Sequence, residues 1–369
     1  TMLRFKSNCC AAFTVAFCAA GAASIVPHSA SAGDRHGNQH GNWHQSSSLK
    51  RPLALRDESM FFVNGALVTS NYPNAGSGAT PPTPATFAVD QMFVHYRSPK
   101  EKKHKLPIIM VHGSGLTGMS WETTPDGREG WATYFTNQGF DTYVVDFPGR
   151  GRAGFNVTPL NQAKFENNSA LQPSIARTGA EGAWVAFRFG DTYPVPYPDT
   201  AFPIDSMLQF SSQGVPNAES TLSAGEAAVP ASIAALLDKI GPAILMSHSQ
   251  GGRLSDPAIA LRPNLIKMMI HVESSCPTLL PDQVAGYKKV PHVLYVHGDH
   301  VIGNPASTGQ PRLDLCTAAM TTINANGGRA KLVQLPSVGL KGNTHMLMQD
   351  KNNLKVADWL IREINRRGY

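Results

Sequence analysis

The chain has 369 residues, 42% of them hydrophobic and 16% charged, and a formal net charge of +6. That is enough for one large domain with a substantial core, or for two smaller ones. The basic residues are dispersed, apart from "KEKKHK" at 100–105 and "RR" at 366–367, and do not interleave with aromatics, which excludes a nucleic-acid-binding stripe.

The first segment does not belong to a core. "MLRFKSN" supplies Arg4 and Lys6, an Ala-rich apolar run extends from Cys9 to Val26, Pro27 breaks it, and Ala30-Ser31-Ala32 offers small residues for cleavage. The pattern predicts a secretory signal peptide over residues 1–32, a secreted or periplasmic product, and no stable membrane anchor after cleavage. A membrane span is disfavoured because the run is borderline in length and half of it is Ala, Gly, Ser or Cys. Bulky Phe17 disfavours a lipid anchor on Cys18. Cleavage removes Cys9, Cys10 and Cys18 and leaves Cys276 and Cys316, an even number in an oxidising compartment. A disulfide between them stays open, since sequence does not give the distance between their Cα atoms. Residues 33–57 are rich in Gly, His, Asn, Gln and Ser and read as a flexible linker. His36, His40 and His44 would share one face of a helix, but Gly37 and Gly41 oppose a helix, so no metal site is assigned.

From residue 58 to 369 the pattern is that of a folded domain. "MFFVNGALVTS" and "TFAVDQMFVHYRS" predict an opening hairpin. "LPIIMVHGSG" is a short apolar run of the buried parallel-strand type. "WATYFTNQG" has helical spacing and stops on Gly139. "FDTYVVDFPGRGR" is a second buried strand that runs into a glycine-rich loop. Residues 155–225 then break the rhythm, with a dense run of Pro and aromatics in "RFGDTYPVPYPDTAFPID", and read as a cap insertion. Alternation resumes with the helix "AAVPASIAALLDKIG" and the strand "PAILMS". A short helix follows, and "SDPAIALRP" is read as restarting it with Asp256 as N-cap and Pro257 at the first helical position. The strands "IKMMIHVES" and "VPHVLYVHGD" come next. The helix "RLDLCTAAMTTINANGG", the strand "AKLVQLP" and the amphipathic helix "NNLKVADWLIREINRR" complete the chain. Alternating strands and helices predict an α/β fold with a mostly parallel central sheet covered on both faces.

In such a sheet, ligands bind beyond the carboxyl ends of the strands. The residues there are His112 to Gly115, Asp146, Ser247 to Gln250, Glu273, His297 to His300 and His345. They contain a nucleophile, an acid and a base in the chain order Ser, acid, His. In "SHSQG" Ser249 occupies the strained strand-to-helix turn, with Ser247 and Gly251 as its small neighbours. A serine hydroxyl needs a base and a group that orients the base. His345, after the last strand, is the base. Glu273 and Asp299 compete for the acid; Glu273 is favoured because it stands immediately at its strand end. The backbone N–H groups of Ser114 and Gln250 are the candidate oxyanion hole. Trp184, Phe187 and Tyr197 of the cap are candidate walls of an apolar substrate pocket.

"VHGSG", "DFPGRGR", "SHSQGG" and the terminal "NTH" together resemble the α/β-hydrolase superfamily over about residues 59–369. The closer likeness is to a small group of secreted bacterial carboxylesterases with a "PGRGR" loop and a Glu after strand six. The resemblance implies an α/β-hydrolase fold and hydrolysis of a small-molecule ester through an acyl-enzyme, with no cofactor and no metal. Ser247 departs from the superfamily's usual Gly. An amidase or acyltransferase would use the same triad. A dehalogenase is disfavoured because the elbow carries Ser and not Asp. A non-catalytic binding protein on the same fold is disfavoured because no triad member is missing.

Overall fold

The central strands form where a short apolar run is bounded by polar or turn residues, and they are buried on both faces. The computed structural model describes residues 52–217, 226–303 and 308–369. The predicted signal peptide and the three linker histidines lie outside these residues. The opening hairpin is β1 (Leu55–Ser70) and β2 (Ala85–Pro99), followed by β3 (Ile108–Val111) and β4 (Thr142–Asp146). The second half supplies β5 (Ala243–His248), β6 (Ile266–Val272), β7 (Val293–His297) and β8 (Ala330–Gln334). β1 begins three residues inside the stretch read as linker, because the charged Arg56-Asp57-Glu58 hides its strand pattern.

The eight strands form one sheet in the order β1-β2-β4-β3-β5-β6-β7-β8. β1 pairs with β2 and β2 with β4 antiparallel, and every later pairing is parallel. The helices are α1 (Met119–Glu122), α2 (Trp131–Asn137), α3 (Thr158–Phe165), α4 (Ala180–Ala186), α5 (Met207–Ser212), α6 (Ala228–Ile240), α7 (Gln250–Leu261), α8 (Pro281–Tyr287), α9 (Gly309–Ala325) and α10 (Asn353–Asn365). Period-two alternation in β5 sends Ile244 and Met246 into one core, with Trp131, Phe135 and Leu360, and Ala243 and Leu245 into the other, with Leu236, Met269 and Ile323. Each fully buried aliphatic side chain contributes about 1.5–3 kcal/mol. Among the described residues no helix is long and apolar enough to cross a membrane.

Two features differ from the sequence reading. α7 runs unbroken from Gln250 to Leu261 with Pro257 inside it. Asp256 does not cap a new helix; its carboxylate is buried and accepts the Tyr287 hydroxyl at 2.5 Å. Burial pushes the Asp256 carboxyl up to about 7. The described part of the region between β4 and α6 contains the short helices α3, α4 and α5. Cys276 and Cys316 are joined by a disulfide, which ties the loop after β6 to α9.

α7 enters directly under the end of β3. A Cβ on Gly251 would lie 2.4 Å from the His112 carbonyl oxygen and 3.0 Å from that of Val111. Both obstacles are backbone, so Gly251→Ala must push α7 away from the sheet, at a cost of about 1–3 kcal/mol. The thermal midpoint should fall by several degrees; an unchanged midpoint would contradict this contact.

Candidate active site

Ser249 sits between β5 and α7 with φ 52° and ψ −123°. A non-glycine residue in that region costs about 1–3 kcal/mol and persists only where its surroundings hold it. Here Ser249 N–H donates to the Val272 carbonyl at 3.1 Å, and the Ser249 carbonyl accepts from Gly252 N–H at 3.0 Å and Ser275 N–H at 2.9 Å. The hydroxyl makes no hydrogen bond among the described residues. Ser247 is fully buried, with its hydroxyl 3.5 Å from His271 Nδ1, on the protein side of the turn.

Glu273 and His345 come together as a buried pair. His345 Nδ1 lies 3.0 Å from Glu273 Oε2. His345 is placed by its own loop: Asp350 accepts from Thr344 N–H at 2.9 Å and Thr344 Oγ1 at 2.8 Å, and His345 N–H donates to the Phe187 carbonyl at 2.9 Å. Asp299, the rival acid, is used elsewhere. Its carboxylate accepts from His300 N–H and Gly342 N–H, each at 2.9 Å, so it braces the loop before His345.

The sequence reading missed two arginines here. Arg188 follows α4 with φ 60° and is fully buried. It donates through Nη1 to Glu273 Oε2 at 3.0 Å and through Nη2 to Oε1 at 2.5 Å. Gly298 N–H donates to Oε1 at 2.5 Å. Burial pushes the Glu273 carboxyl up, but Arg188, His345 and His297 together hold it well below the usual carboxylate range. Burial, assisted by Arg312, drives the His345 imidazole well below its usual value, against the pull of Glu273. Its neighbour His248, which pairs through Nε2 with the His345 carbonyl at 2.9 Å, is pushed down to about 4 by burial. Arg150 is the second. It is buried, and donates through Nη1 to the Gly113 carbonyl at 3.0 Å and through Nη2 to Gln250 Oε1 at 2.9 Å. It therefore fastens the loop after β3 to the first residue of α7. The run "PGRGR" was the available signal; spacing alone does not say what such an arginine grips.

The loop after β3 passes against the serine. A Cβ on Gly113 would lie 2.8 Å from Ser249 Cβ, so only glycine allows the approach. The Ser114 N–H has no hydrogen-bond partner among the described residues. Asn217 of the cap holds this loop from above, accepting from Gly115 N–H at 2.8 Å and donating to Ser114 Oγ at 3.0 Å. Gln250 N–H opens α7, where the helix dipole favours negative charge.

A cavity of about 330 Å³ opens beside this loop, lined by Ser114, Leu116, Phe187, Phe210 and Val215 among others. Of the three aromatics expected to wall a pocket, Phe187 lines this cavity, and its ring also stacks on His345 at 5.1 Å. Trp184 is 1% exposed, packs on Phe189 and Tyr193, and donates to the Val195 carbonyl at 3.1 Å. Tyr197 stacks on His300 and donates to Asp191 at 2.5 Å. Trp184 is buried among its neighbours in this segment, whereas Tyr197 is half-buried and lies against His300 of the loop after β7.

A sheet of this strand order, with a strained serine at the end of β5 and a carboxylate–histidine pair at the following strand ends, defines an α/β-hydrolase. The chain belongs to the α/β-hydrolase family. It is similar to a novel bacterial esterase solved at atomic resolution, with 38% identity and a TM-score of 0.79 over 87% of this chain and 99% of that one. It is also 26% identical over 328 residues to the "Probable secreted lipase phiG" of a fungus, Fungal sp. (strain ATCC 74256), covering 75% of this chain and 86% of that protein. No family model matches the chain. The esterase and the lipase support an ester hydrolase.

Breaking the Arg188–Glu273 pair from the arginine side leaves a buried carboxylate without its cation. Arg188→Met should destabilise the protein at pH 7 by about 3–5 kcal/mol. In the parent, Glu273 has a folded pKa below its unfolded one, so its contribution is present above about pH 4.3 and lost only below that. In the variant burial raises the folded pKa above the unfolded one, and the protein should regain stability as the pH falls from 7 towards 4. Denaturant unfolding at several pH values checks this; a variant whose deficit is independent of pH would contradict it.

Proposed function

We propose that this protein is a secreted serine carboxylesterase in which Ser249 is the nucleophile, His345 the base and Glu273 the acid. The observation that carries the reading is the buried chain of bonds from Arg188 through Glu273 to His345, beside an elbow serine with positive φ. Glu273 fixes the proton of His345 on Nδ1 and leaves Nε2 neutral. Nε2 takes the Ser249 proton as Oγ attacks the ester carbonyl. The N–H groups of Ser114 and Gln250 receive the oxyanion. His345 returns the proton to the leaving alcohol, and water then repeats the sequence on the acyl-enzyme. The acyl group occupies the cavity beside Ser114, against Phe187 and Phe210. Export is supported by the disulfide, which persists in oxidising compartments, and by the secreted lipase among the relatives.

Ser249→Ala should lower turnover on the order of a millionfold with the fold intact, whereas Ser247→Ala should be far milder. Glu273→Gln should lower it by about three to four orders of magnitude, and Asp299→Asn much less. Turnover of one soluble ester by the four variants, with circular dichroism to confirm folding, decides the assignment. A folded, inactive Asp299→Asn beside an active Glu273→Gln would move the acid to the later strand.

The pH profile gives a separate check. His345 is held neutral by burial, so acidification should not protonate it near its usual value of about 6.5. The acid limb of kcat/KM should lie below the usual imidazole range of about 6.5. A limb at or above 6.5 would contradict a buried, neutral base.

A further inference from the structure

Arg312 forms no ion pair among the described residues, and the nearest negative charge acting on it, Glu273, is already paired with Arg188. Arg312 projects from the first turn of α9, which contains no acidic residue, so the positive end of that helix adds to its charge. Its Nη1 lies 3.1 Å from Nδ1 and 3.0 Å from Nε2 of His345. Being nearly equidistant from both nitrogens, it rests against the ring and follows neither lone pair. Cys316, one helical turn further on, is bonded to Cys276 three residues beyond Glu273, which holds α9 beside the site.

This placement opposes the proposed chemistry. His345 must become an imidazolium as Ser249 loses its proton, and a guanidinium alongside disfavours that charge. Glu273 is already matched by Arg188, so the group of Glu273, Arg188, Arg312 and neutral His345 carries one positive charge too many. An anion brought by the substrate would remove the excess.

We propose that Arg312 receives a carboxylate carried on the alcohol half of the substrate, so that the preferred substrates are acyl esters of hydroxycarboxylic acids. The inference rests on the triad reading. The alcohol half is indicated because Nε2, which delivers its proton to the leaving oxygen, lies 3.0 Å from Arg312 Nη1, so a carboxylate on the leaving group comes within reach of the guanidinium. The acyl half lies in the cavity beyond Ser114, which Arg312 does not line. The reaction consumes one water. The Ser249 Oγ–acyl bond forms as His345 accepts the hydroxyl proton, and the ester C–O bond breaks as that proton passes to the alkoxide. Water then gives its hydroxyl to the acyl carbon and its proton, through His345, to Ser249. The products are a carboxylic acid and a hydroxycarboxylate.

Three esters test it: the butanoyl esters of 4-hydroxybenzoate and of 4-hydroxybenzamide, and the succinyl monoester of 4-hydroxybenzamide, which moves the carboxylate to the acyl side. The protein should favour the hydroxybenzoate ester over its amide counterpart by about tenfold to a hundredfold in kcat/KM, the range of a charged hydrogen bond. Arg312→Gln should bring that ratio towards one, and Arg312→Lys should keep part of it. Arg312→Gln should also move the acid limb of kcat/KM to higher pH, because a cation has left the imidazole; a merely structural role would not move it. Should Arg312→Gln not fold, competitive inhibition of the parent by free 4-hydroxybenzoate should exceed that by 4-hydroxybenzamide at least tenfold, and fade with added salt. A ratio near one, a ratio untouched in the folded variant, a preference for the succinyl ester, or equal inhibition would each overturn the inference while leaving the triad standing. Failure to cleave any ester would instead remove the triad reading, and the inference with it.

Discussion

The structure turns on one bidentate ion pair, Arg188 with Glu273, both fully buried at the carboxyl ends of the strands. Taking two charges out of water costs several kcal/mol per ion, and the mutual attraction offsets this only when the remaining hydrogen-bonding sites are filled. They are filled here. Both oxygens of Glu273 accept from Arg188, one also from Gly298 N–H and the other from His345 Nδ1. The carboxylate stays ionised despite its burial, and an ionised carboxylate beside Nδ1 is what a histidine needs to keep its proton on that near nitrogen and leave Nε2 open. The pair also joins distant parts of the chain, for Arg188 arrives from the cap and Glu273 from the sheet.

That connection makes the segment between β4 and α6 part of the site. Phe187 gives its carbonyl to His345 N–H and its ring to the cavity. Arg188 gives the charge that holds Glu273, and Asn217 braces the loop carrying Ser114. On the sheet side Arg150 ties the same loop to Gln250. The segment between β4 and α6 is therefore part of the site's frame, and residues that hold His345 and the loop after β3 also wall the cavity.

Much of the fold was legible because its signals are local. Apolar runs such as "AILM" and "IKMMIHV" have no other use than buried parallel strands, and each ends on polar residues that face one edge of the sheet. The elbow was legible for the same reason, since Ser249 needs small neighbours and a helix after it. Arg188 was illegible: it stands 85 positions from Glu273 in the weakest-patterned stretch of the chain, and nothing in "RFGD" distinguishes a buried guanidinium from a solvated one. The cap aromatics carried an ambiguous signal, because Trp184 filling the cap and Phe187 lining a cavity look alike in sequence. Asp256-Pro257 suggested a helix start, but the pull of the Tyr287 hydroxyl on a buried carboxylate is a tertiary contact that local propensity does not contain.

Nitrogen-15 NMR of the imidazole side chains, followed from pH 8 to pH 6.5, tests the central claim most directly, namely that the Arg188–Glu273 pair fixes His345 as a neutral base. The account predicts that His345 carries its proton on Nδ1, with Nε2 unprotonated, throughout that range. A His345 protonated on Nε2, or doubly protonated near pH 7, would contradict it.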